Sequence, residues 1–133
     1  MAAEIGIETR ARSQLVDITD DVRAAVRESG VDSGLCVVYV PHTTAAVTIN
    51  EGADPDVAGD LSRHLASLVP EGCREFRHSE GNSDAHVKAA LVGPSVTLIV
   101  EGGLPLLGTW QRIFFCEFDG PRRRRYRVKV VGG

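Results

Sequence analysis

The sequence lacks any apolar run that approaches the ~20 residues of a transmembrane helix, so no membrane-spanning segment is predicted. Its first residues lack a basic stretch followed by an apolar block, so no secretory signal is predicted either. Cysteine is scarce: Cys36, Cys73 and Cys116 lie far apart and form no C-x-x-C pair. An odd number of separated thiols favours a reduced, cytoplasmic protein over one held together by disulfides.

A strong net charge is also lacking. The 15 Lys and Arg against 18 Asp and Glu leave a formal charge of -3, which gives no general attraction to nucleic acid or to an anionic membrane. The basic run Arg122–Arg125 has two interpretations, a nucleic-acid patch or a solvated strand edge that blocks edge pairing, and the acidic chain favours the second. Walker, G-x-G-x-x-G, G-x-S-x-G and aspartate-rich diphosphate motifs are absent as well.

Apolar patterning predicts a single α+β domain over residues 1–133. Strands are predicted at residues 4–11, 35–40, 42–51, 95–101, 104–107, 109–118 and 126–131. Helices are predicted after Thr19 or Asp20 up to Gly30, from Asp54-Pro55 to Pro70, and after Ser83 or Asp84 through Leu91. This mixed order favours a largely antiparallel sheet that the helices cover on one side.

Three of these elements carry specific burial expectations. The nearly continuous apolar run Leu35–Val40 predicts a strand buried on both faces. The last helix is expected to turn Val87, Ala90 and Leu91 inward. The second helix is expected to bury one face through Val57, Leu61, Leu65 and Leu68.

The stretch His42–Glu51 alternates between apolar and polar residues. One side carries Ala45, Val47 and Ile49, which suit a core, and the other side carries His42, Thr44, Thr48 and Asn50. An ordinary antiparallel strand with one solvated face is one interpretation. The other is a row of site residues, in which Thr44 and Asn50 are candidate ligand-binding groups.

Three histidines are candidate metal ligands. His42 opens the alternating strand, His78 lies in a long polar loop at 71–85, and His86 lies in the first turn of the helix after that loop. Three neutral imidazoles with an open fourth position are a common catalytic arrangement for zinc and similar ions. Their spacing is no self-standing motif, because His42 must meet the other two through folding, and separate surface histidines are the alternative.

Polar residues near these histidines have several candidate roles. Glu51, Glu80, Asn82 and Asp84 are candidates for extra ligands, for orienting the imidazoles or for a general base. For Asn82 and Asp84 the alternative is a turn or helix-cap role. Glu80, beside His78, is the better proton carrier, because strand alternation turns Glu51 to the side opposite His42.

The segment Thr109–Arg112 contains the only tryptophan of the chain. Arg112 can fork onto a phosphate or carboxylate, Lys88 would supply a point charge, and Thr109 and Gln111 are candidate ligand-binding residues. A β-bulge with a packed tryptophan and a surface arginine is the alternative interpretation.

Several blocks of the sequence, in order, resemble the YjbQ-like family. They are His42-Thr43-Thr44-Ala45 through Asn50-Glu51, Ala53-Asp54-Pro55, Arg77-His78 with Glu80-Gly81, Ala85-His86-Val87-Lys88-Ala89, and Gly108-Thr109-Trp110-Gln111. The resemblance runs from about Leu35 to the final strand, and members of this family are small cytoplasmic proteins often labelled secondary thiamine-phosphate synthase.

The resemblance implies a fold, an assembly and a site. The implied fold is α+β, a β-sandwich-like and mainly antiparallel sheet with a few covering helices, assembled as a homotrimer. The implied site is formed by His42, His78 and His86 around a divalent metal ion, with the Gly108–Gln111 segment nearby. The expected ligand is a phosphorylated small molecule or another anion, and neither a membrane nor nucleic acid is expected as a partner.

The family label and the predicted ligands favour different chemistry. Thiamine-phosphate synthesis joins a pyrimidine diphosphate to a thiazole phosphate and releases pyrophosphate, which normally uses magnesium held by carboxylates and phosphates. Three imidazoles suit zinc or another transition metal better. The resemblance makes a thiamine-phosphate synthase-like transferase the first expectation. A metal-dependent phosphoester hydrolase and a non-catalytic metal- or anion-binding trimer are the alternatives.

Overall fold

The computed structural model describes residues 2–133. In chain order this part contains β1 (Ala3–Glu8), β2 (Gln14–Asp17), α1 (Thr19–Ser29), β3 (Gly34–Tyr39), β4 (Ala45–Glu51), α2 (Pro55–Leu68), α3 (Ser83–Val92), β5 (Ser95–Glu101), β6 (Leu104–Pro105), β7 (Gln111–Glu117) and β8 (Arg123–Gly132). The predicted elements are found in the predicted order. The differences are local: β2 was not predicted as a strand, β4 begins at Ala45 rather than at His42, and β6 is only two residues long.

Two antiparallel sheets face each other, in agreement with the β-sandwich-like α+β fold that the family resemblance implies. The larger sheet has the strand order β1-β8-β3-β5-β6 and the smaller one β2-β7-β4. Alternation along each strand sends one set of apolar side chains inward. Cys36 and Val38 from the larger sheet thereby meet Val47 and Phe115 from the smaller one, and α1 adds Val22 and Val26 to the same core.

A second core lies on the other face of the smaller sheet. Ala46, Phe114 and Phe118 pack there against Ala85 and Ala89 of α3. Strand β7 is therefore buried on both faces. Each of its side-chain rows has a partner layer, namely the larger sheet on one side and the helices on the other.

The strand at 35–40 was predicted to be buried on both faces, but in the single chain only one of its faces is buried. Leu35 and Tyr39 are 49% and 46% exposed, while Cys36, Val38 and Val40 are buried. Strand β3 lies between β8 and β5, and only its inner face meets the smaller sheet. Its outer side chains join an exposed apolar surface.

Helix α2 begins as predicted. The Asp54 side chain accepts a hydrogen bond from the Asp56 N–H at 2.9 Å, and Pro55 occupies the first turn, where a missing N–H costs nothing. Ala58 and Leu65 contact the second core. The expected burial of Leu68 is wrong, because this side chain is exposed at the end of the helix.

Helix α3 is rotated relative to its prediction. The residues that turn inward are Asp84, Ala85, Lys88 and Ala89, whereas Val87, Ala90 and Leu91 are exposed. The cap position is Asn82, one residue before the predicted one. The inward face carries the buried ion pair of Asp84 with Lys88, and Arg12 contacts Asp84 from outside the helix, a contact that the apolar pattern does not show.

Along the arginine run, β8 has a strand partner on one side only. Arg123, Arg124 and Arg125 begin β8, which lies between β1 and β3. Alternation makes Arg124 buried and leaves Arg123 and Arg125 exposed. Arg123 and Arg125 fit the solvated-edge interpretation, because along the run β8 is paired with β1 alone and β3 pairs with β8 only from Arg127 onward. Arg124 does not fit it, because its side chain is buried.

The helices within residues 2–133 are short. The longest of them, α2, has 14 residues. None of the described helices combines the length and the apolar character needed to cross a membrane.

Candidate functional site

His42 lies just before β4 and is half-buried. Its Nε2 accepts a hydrogen bond from the Arg125 backbone N–H at 3.1 Å. Burial lowers the pKa of His42, and the positive charge of Arg124 lowers it further. The imidazole is therefore neutral at pH 7 with Nε2 as its acceptor.

A buried ion pair lies beside His42. Arg124 donates from Nε to Glu117 Oε1 at 2.8 Å and from Nη2 to Glu117 Oε2, and the two side chains are 4% and 0% exposed. Arg124 Nη2 also donates to the Thr44 hydroxyl at 2.8 Å. Thr44, a predicted ligand-binding residue, is thus engaged within the protein.

Glu117 has both of its oxygens hydrogen-bonded. The Thr9 hydroxyl donates to Oε1 at 2.7 Å, and the N–H groups of Phe118 and Asp119 donate to Oε2 at 3.1 and 3.0 Å. Burial alone would raise the pKa of Glu117, but the hydrogen bonds from Arg124 and Thr9 outweigh it and lower the pKa. This carboxylate stays ionised and anchors the end of β7 next to His42.

His78 and His86 lie together as predicted. Their ring centroids are 5.4 Å apart and the rings stand edge to face at 89°. Glu80 Oε1 lies 3.8 Å from His78 Nε2 at the open rim of this pair. His78 comes from the loop before α3 and His86 from its first turn, so eight residues of sequence bring the two imidazoles together.

A charged network holds the loop and α3 in place around this pair. Arg12 reaches Glu71 at 2.9 Å, Asp84 at 3.3 Å and Asp119 at 3.9 Å. Asn82 donates from Nδ2 to Asp119 at 2.8 Å. These contacts connect four chain segments. Asn82, which was predicted to bind ligand, instead connects the start of α3 to Asp119.

Lys88 belongs to the same network. Its Nζ lies 3.0 Å from Asp84 Oδ2, and the two side chains are 4% and 1% exposed. The ammonium group therefore faces a buried carboxylate and not the open rim near His78. The structure does not place Lys88 as the predicted point charge for a bound phosphate.

The segment Thr109–Arg112 lies at the other end of the smaller sheet. In the β4–β7 register Ala45 pairs with Glu117, near His42, whereas Glu51 pairs with Gln111. Six residues of strand separate the two ends by roughly 20 Å. Within one chain, Arg112 is thus not brought to the histidines.

The groups at this far end have partners of their own. Arg112 Nε lies 2.7 Å from Asp17 Oδ2, and Gln111 Oε1 accepts from the Gly108 N–H at 2.8 Å. Asn50 is paired with Arg112 in the sheet, and its Oδ1 accepts from the Glu51 N–H. The predicted ligand-binding residues Asn50, Thr109 and Gln111 therefore form a second group, separate from the three histidines.

Comparison with known proteins agrees with the fold and the motif order. The family model described as UPF0047 protein YjbQ-like matches residues 3–133. The chain belongs to the YjbQ-like family. It is 56% identical to a UPF0047 protein of Methanocaldococcus jannaschii over 95% of this chain and 91% of that protein. It is 48% identical to the UPF0047 protein YugU of Bacillus subtilis over 99% and 100%.

Solved structures of the YjbQ-like family match the whole architecture. An uncharacterised conserved protein from Clostridium acetobutylicum superposes with a TM-score of 0.94 at 50% identity, covering 97% of this chain and 99% of that one. A hypothetical protein from Aeropyrum pernix gives 0.93 at 38% identity, covering 100% and 99%. None of these names states an activity, so the function is argued from the site.

The residues of this YjbQ-like chain meet the requirements of a metal ion in part. Two imidazoles that bind one tetrahedral ion through nitrogens ~2 Å away place their ring centroids about 5 Å apart, close to the 5.4 Å of His78 and His86. Nε2 of His42 is already occupied by the Arg125 N–H. Within residues 2–133 of a single chain, no group of three or more His, Cys, Asp or Glu side chains is arranged to hold a metal.

Proposed function

We propose that this YjbQ-like protein is an enzyme acting on phosphorylated small molecules, with thiamine-phosphate synthase-like transfer as the first candidate reaction. The reaction would occur at the end of the molecule that holds His42, His78 and His86. The single observation that supports this location is the His78–His86 pair, 5.4 Å between centroids, with Glu80 at 3.8 Å from His78. Two imidazoles and a carboxylate at one open rim suit proton transfer and metal binding.

The proposed metal ligands are His78 and His86, with His42 as a third ligand. Zinc or a similar divalent ion suits imidazole nitrogen, and magnesium is the alternative that the synthase reaction would suggest. Such an ion would supply positive charge to a substrate phosphate. His42 can take part only if its Nε2 exchanges the Arg125 N–H for the ion, or if it binds through Nδ1.

Glu80 is the proposed proton carrier. Its side chain is 70% exposed and lies at the rim of the histidine pair, where it can accept a proton from a substrate or from water. The neighbouring buried carboxylates are already occupied. Asp84 is held by Lys88 and Arg12, and Glu117 by Arg124.

We also propose the homotrimer that the family resemblance implies. The outer face of the larger sheet exposes Leu35, which pairs across the sheet with Ile99 and with Val131, and both partners are exposed as well. Contiguous exposed apolar side chains mark interaction surfaces. A symmetric assembly would bury this face.

A cytoplasmic location forms part of the proposal. All three cysteines are free thiols, and Cys36 and Cys116 are buried. Burial raises the pKa of Cys36 to about 11 and of Cys116 to about 12, which keeps both thiols protonated. Unpaired thiols of this kind are typical of a reducing compartment.

The test combines elemental analysis with two activity assays. Purified protein would be analysed for bound zinc and other metals, then assayed with thiamine precursors and with a panel of phosphoesters. We expect bound metal that His86→Ala removes together with turnover. Glu80→Gln should keep the metal and lower turnover by about 10²-fold, the usual contribution of a positioned acid or base.

His64→Ala is the matched control, because His64 is exposed on α2 and lies outside the proposed site. It should keep wild-type metal content and turnover. Hydrolysis of phosphoesters without precursor joining would favour the hydrolase alternative. Bound metal with no turnover of either substrate set would favour the non-catalytic alternative, and wild-type turnover in every histidine variant would refute the site.

A further inference from the structure

A cavity with a charged wall lies away from the histidines. It is a groove of about 600 Å³ between α1, the β6 segment and the start of β7. We name it the arginine groove, because Arg23, Arg27 and Arg112 line it. The facing wall is apolar and is formed by residues 104–107. None of its residues belongs to the histidine pair, its supporting network or Glu80.

The three guanidinium groups converge on this groove from two elements. Arg23 and Arg27 are one turn apart on α1, a spacing at which like charges destabilise a helix. Arg112 enters from β7. A guanidinium in the groove that lacks a carboxylate partner favours an anion there.

Three carboxylates lie in or near the groove and balance the three arginines in formal charge, but none of them pairs with Arg27. Asp17 holds Arg112 Nε at 2.7 Å, and Asp20 lies 3.5 Å from Arg112 Nη2 and 3.4 Å from Arg23 Nη1. Asp17 and Asp20 are not among the residues lining the groove, and they orient the guanidiniums from the side. Glu101 is the one carboxylate among the lining residues.

Arg27 is the least compensated of the three. Its side chain is exposed, and within residues 2–133 it makes no ion pair and no side-chain hydrogen bond. Its carbonyl oxygen accepts a hydrogen bond from the Gly30 N–H at the end of α1. The guanidinium is therefore available to a ligand, whereas the backbone contact belongs to the helix end.

Uncharged donors complete the polar wall. The side-chain oxygen of Gln111 accepts a hydrogen bond from the Gly108 N–H at 2.8 Å. Its amide N–H groups therefore remain as donors. Thr109 adds a hydroxyl at the same wall. Carboxylate and phosphate groups accept several hydrogen bonds at once, and guanidinium groups match their geometry.

We propose that the arginine groove is a binding site for a small organic anion, with its carboxylate or phosphate group at the arginines and its apolar body against residues 104–107. The volume lies within the roughly 300–1,000 Å³ of small-molecule sites. The site is separate from the proposed histidine site and does not depend on metal. Glu101, the one carboxylate among the lining residues, would repel the anionic group and so favour its placement at the arginines.

Trp110 allows a direct test, since this single tryptophan lies between the groove residues Thr109 and Gln111. Its fluorescence would be titrated in the full-length protein, in its native assembly, with phenyl phosphate, benzoate, inorganic phosphate and phenol. We expect saturable changes with phenyl phosphate or benzoate that weaken as salt increases. Inorganic phosphate should bind more weakly because it lacks the apolar body, and phenol because it lacks the charge.

Arg27→Gln should weaken binding of the organic anions about tenfold, the usual effect of losing one charge-assisted hydrogen bond. Arg63→Gln is the control, because Arg63 is an exposed arginine on α2 that pairs with Asp60 outside the groove. His86→Ala should leave the titration unchanged, so that failure of the histidine site cannot be mistaken for failure of the groove.

Three outcomes would overturn the proposal. One is the absence of any saturable change with phenyl phosphate and with benzoate. Another is equal affinity of Arg27→Gln and the wild type. The third is phenol binding as tightly as benzoate, which would make the groove an apolar site without anion recognition. The ratio of phenyl phosphate to benzoate affinity identifies the preferred anionic group in a positive result.

Discussion

The Arg125 backbone N–H donates to Nε2 of His42 at 3.1 Å, so the first residue of the proposed histidine site is also a structural acceptor. Protonation of this imidazole would place an N–H where the structure requires a lone pair. The hydrogen bond therefore couples the charge of His42 to the start of β8. A metal at His42 Nε2 would break the same bond.

The first prediction follows from the lowered pKa of His42. Its value of 6.5 in an unfolded chain falls on folding, first through burial and then through Arg124. Below pH 6.5 the unfolded state binds the proton more readily, so the free energy of unfolding should fall as the pH drops toward the lowered folded pKa. Above pH 6.5, His42 should no longer make the free energy of unfolding depend on pH.

Urea denaturation at several pH values checks this linkage. His42→Asn keeps a hydrogen-bond acceptor and removes the titration, so its unfolding free energy should depend less on pH in the acid range. His64→Asn, on the exposed face of α2, should retain the wild-type slope. Parallel profiles for His42→Asn and the wild type would contradict the prediction.

The second prediction concerns the ion pair of Arg124 with Glu117. Arg124→Met should lower the free energy of unfolding by about 3–5 kcal/mol, because it leaves a carboxylate buried without its cation. Arg123→Met is the matched control, since Arg123 is 90% exposed and pairs only with Glu8 at the surface. Its effect should stay within about 0.5 kcal/mol. Equal effects would show that the buried pair has no special role.

The order of elements could be predicted because its signals are local. The Asp54-Pro55 start of α2 and the Gly102-Gly103 turn, where both glycines have positive φ, need only neighbouring residues. The closeness of His78 and His86 was predictable for the same reason, since one loop and one helical turn join them. Local patterning thus predicted the α+β class and the proximity of two of the three histidines.

Contacts between distant residues could not be predicted. Arg12 contacts Asp84 on the inward face of α3 although the two residues are 72 positions apart in the sequence. The apolar periodicity of the helix gives no sign of such a distant partner. The separation of His42 from Arg112 depends on the register of β4 against β7. The uniform run of arginines likewise hides the alternation that buries Arg124 alone.

The third prediction assigns Lys88 to stability. Lys88→Met should lower the free energy of unfolding by about 3 kcal/mol, because Asp84 keeps only Arg12 as a cation. Lys129→Met, at an exposed position of β8, should change it by less than about 0.5 kcal/mol. If Lys88→Met were as stable as the wild type and lost substrate affinity instead, the side chain would serve the ligand.

The fourth prediction concerns assembly. Leu35→Glu places a charge in the exposed apolar face of the larger sheet, where Ile99 and Val131 are its cross-strand neighbours. If this face joins subunits, the variant should sediment as a monomer at micromolar concentration, because an unpaired charge is costly to bury. Thr97→Glu is the comparison variant, because it places the same charge at an exposed polar position of the same sheet. A wild-type protein that sediments as a monomer would refute the trimer.

The last prediction concerns the close approach of Gly52 to Arg112. A Cβ at position 52 would overlap Arg112 Cγ and lie 2.7 Å from its Cβ, so Gly52→Ala should displace the side chain that Asp17 holds. We expect a loss of about 1–3 kcal/mol in the free energy of unfolding, as for other overpacking changes. Gly6→Ala, where no atom lies within 4 Å of the added Cβ, should be tolerated. In an Arg112→Ala background the cost of Gly52→Ala should fall by about 1 kcal/mol or more, because the overlapping stem is gone. Urea denaturation of the four proteins in this cycle measures the coupling, and strictly additive costs would mean that Arg112 is not what position 52 accommodates.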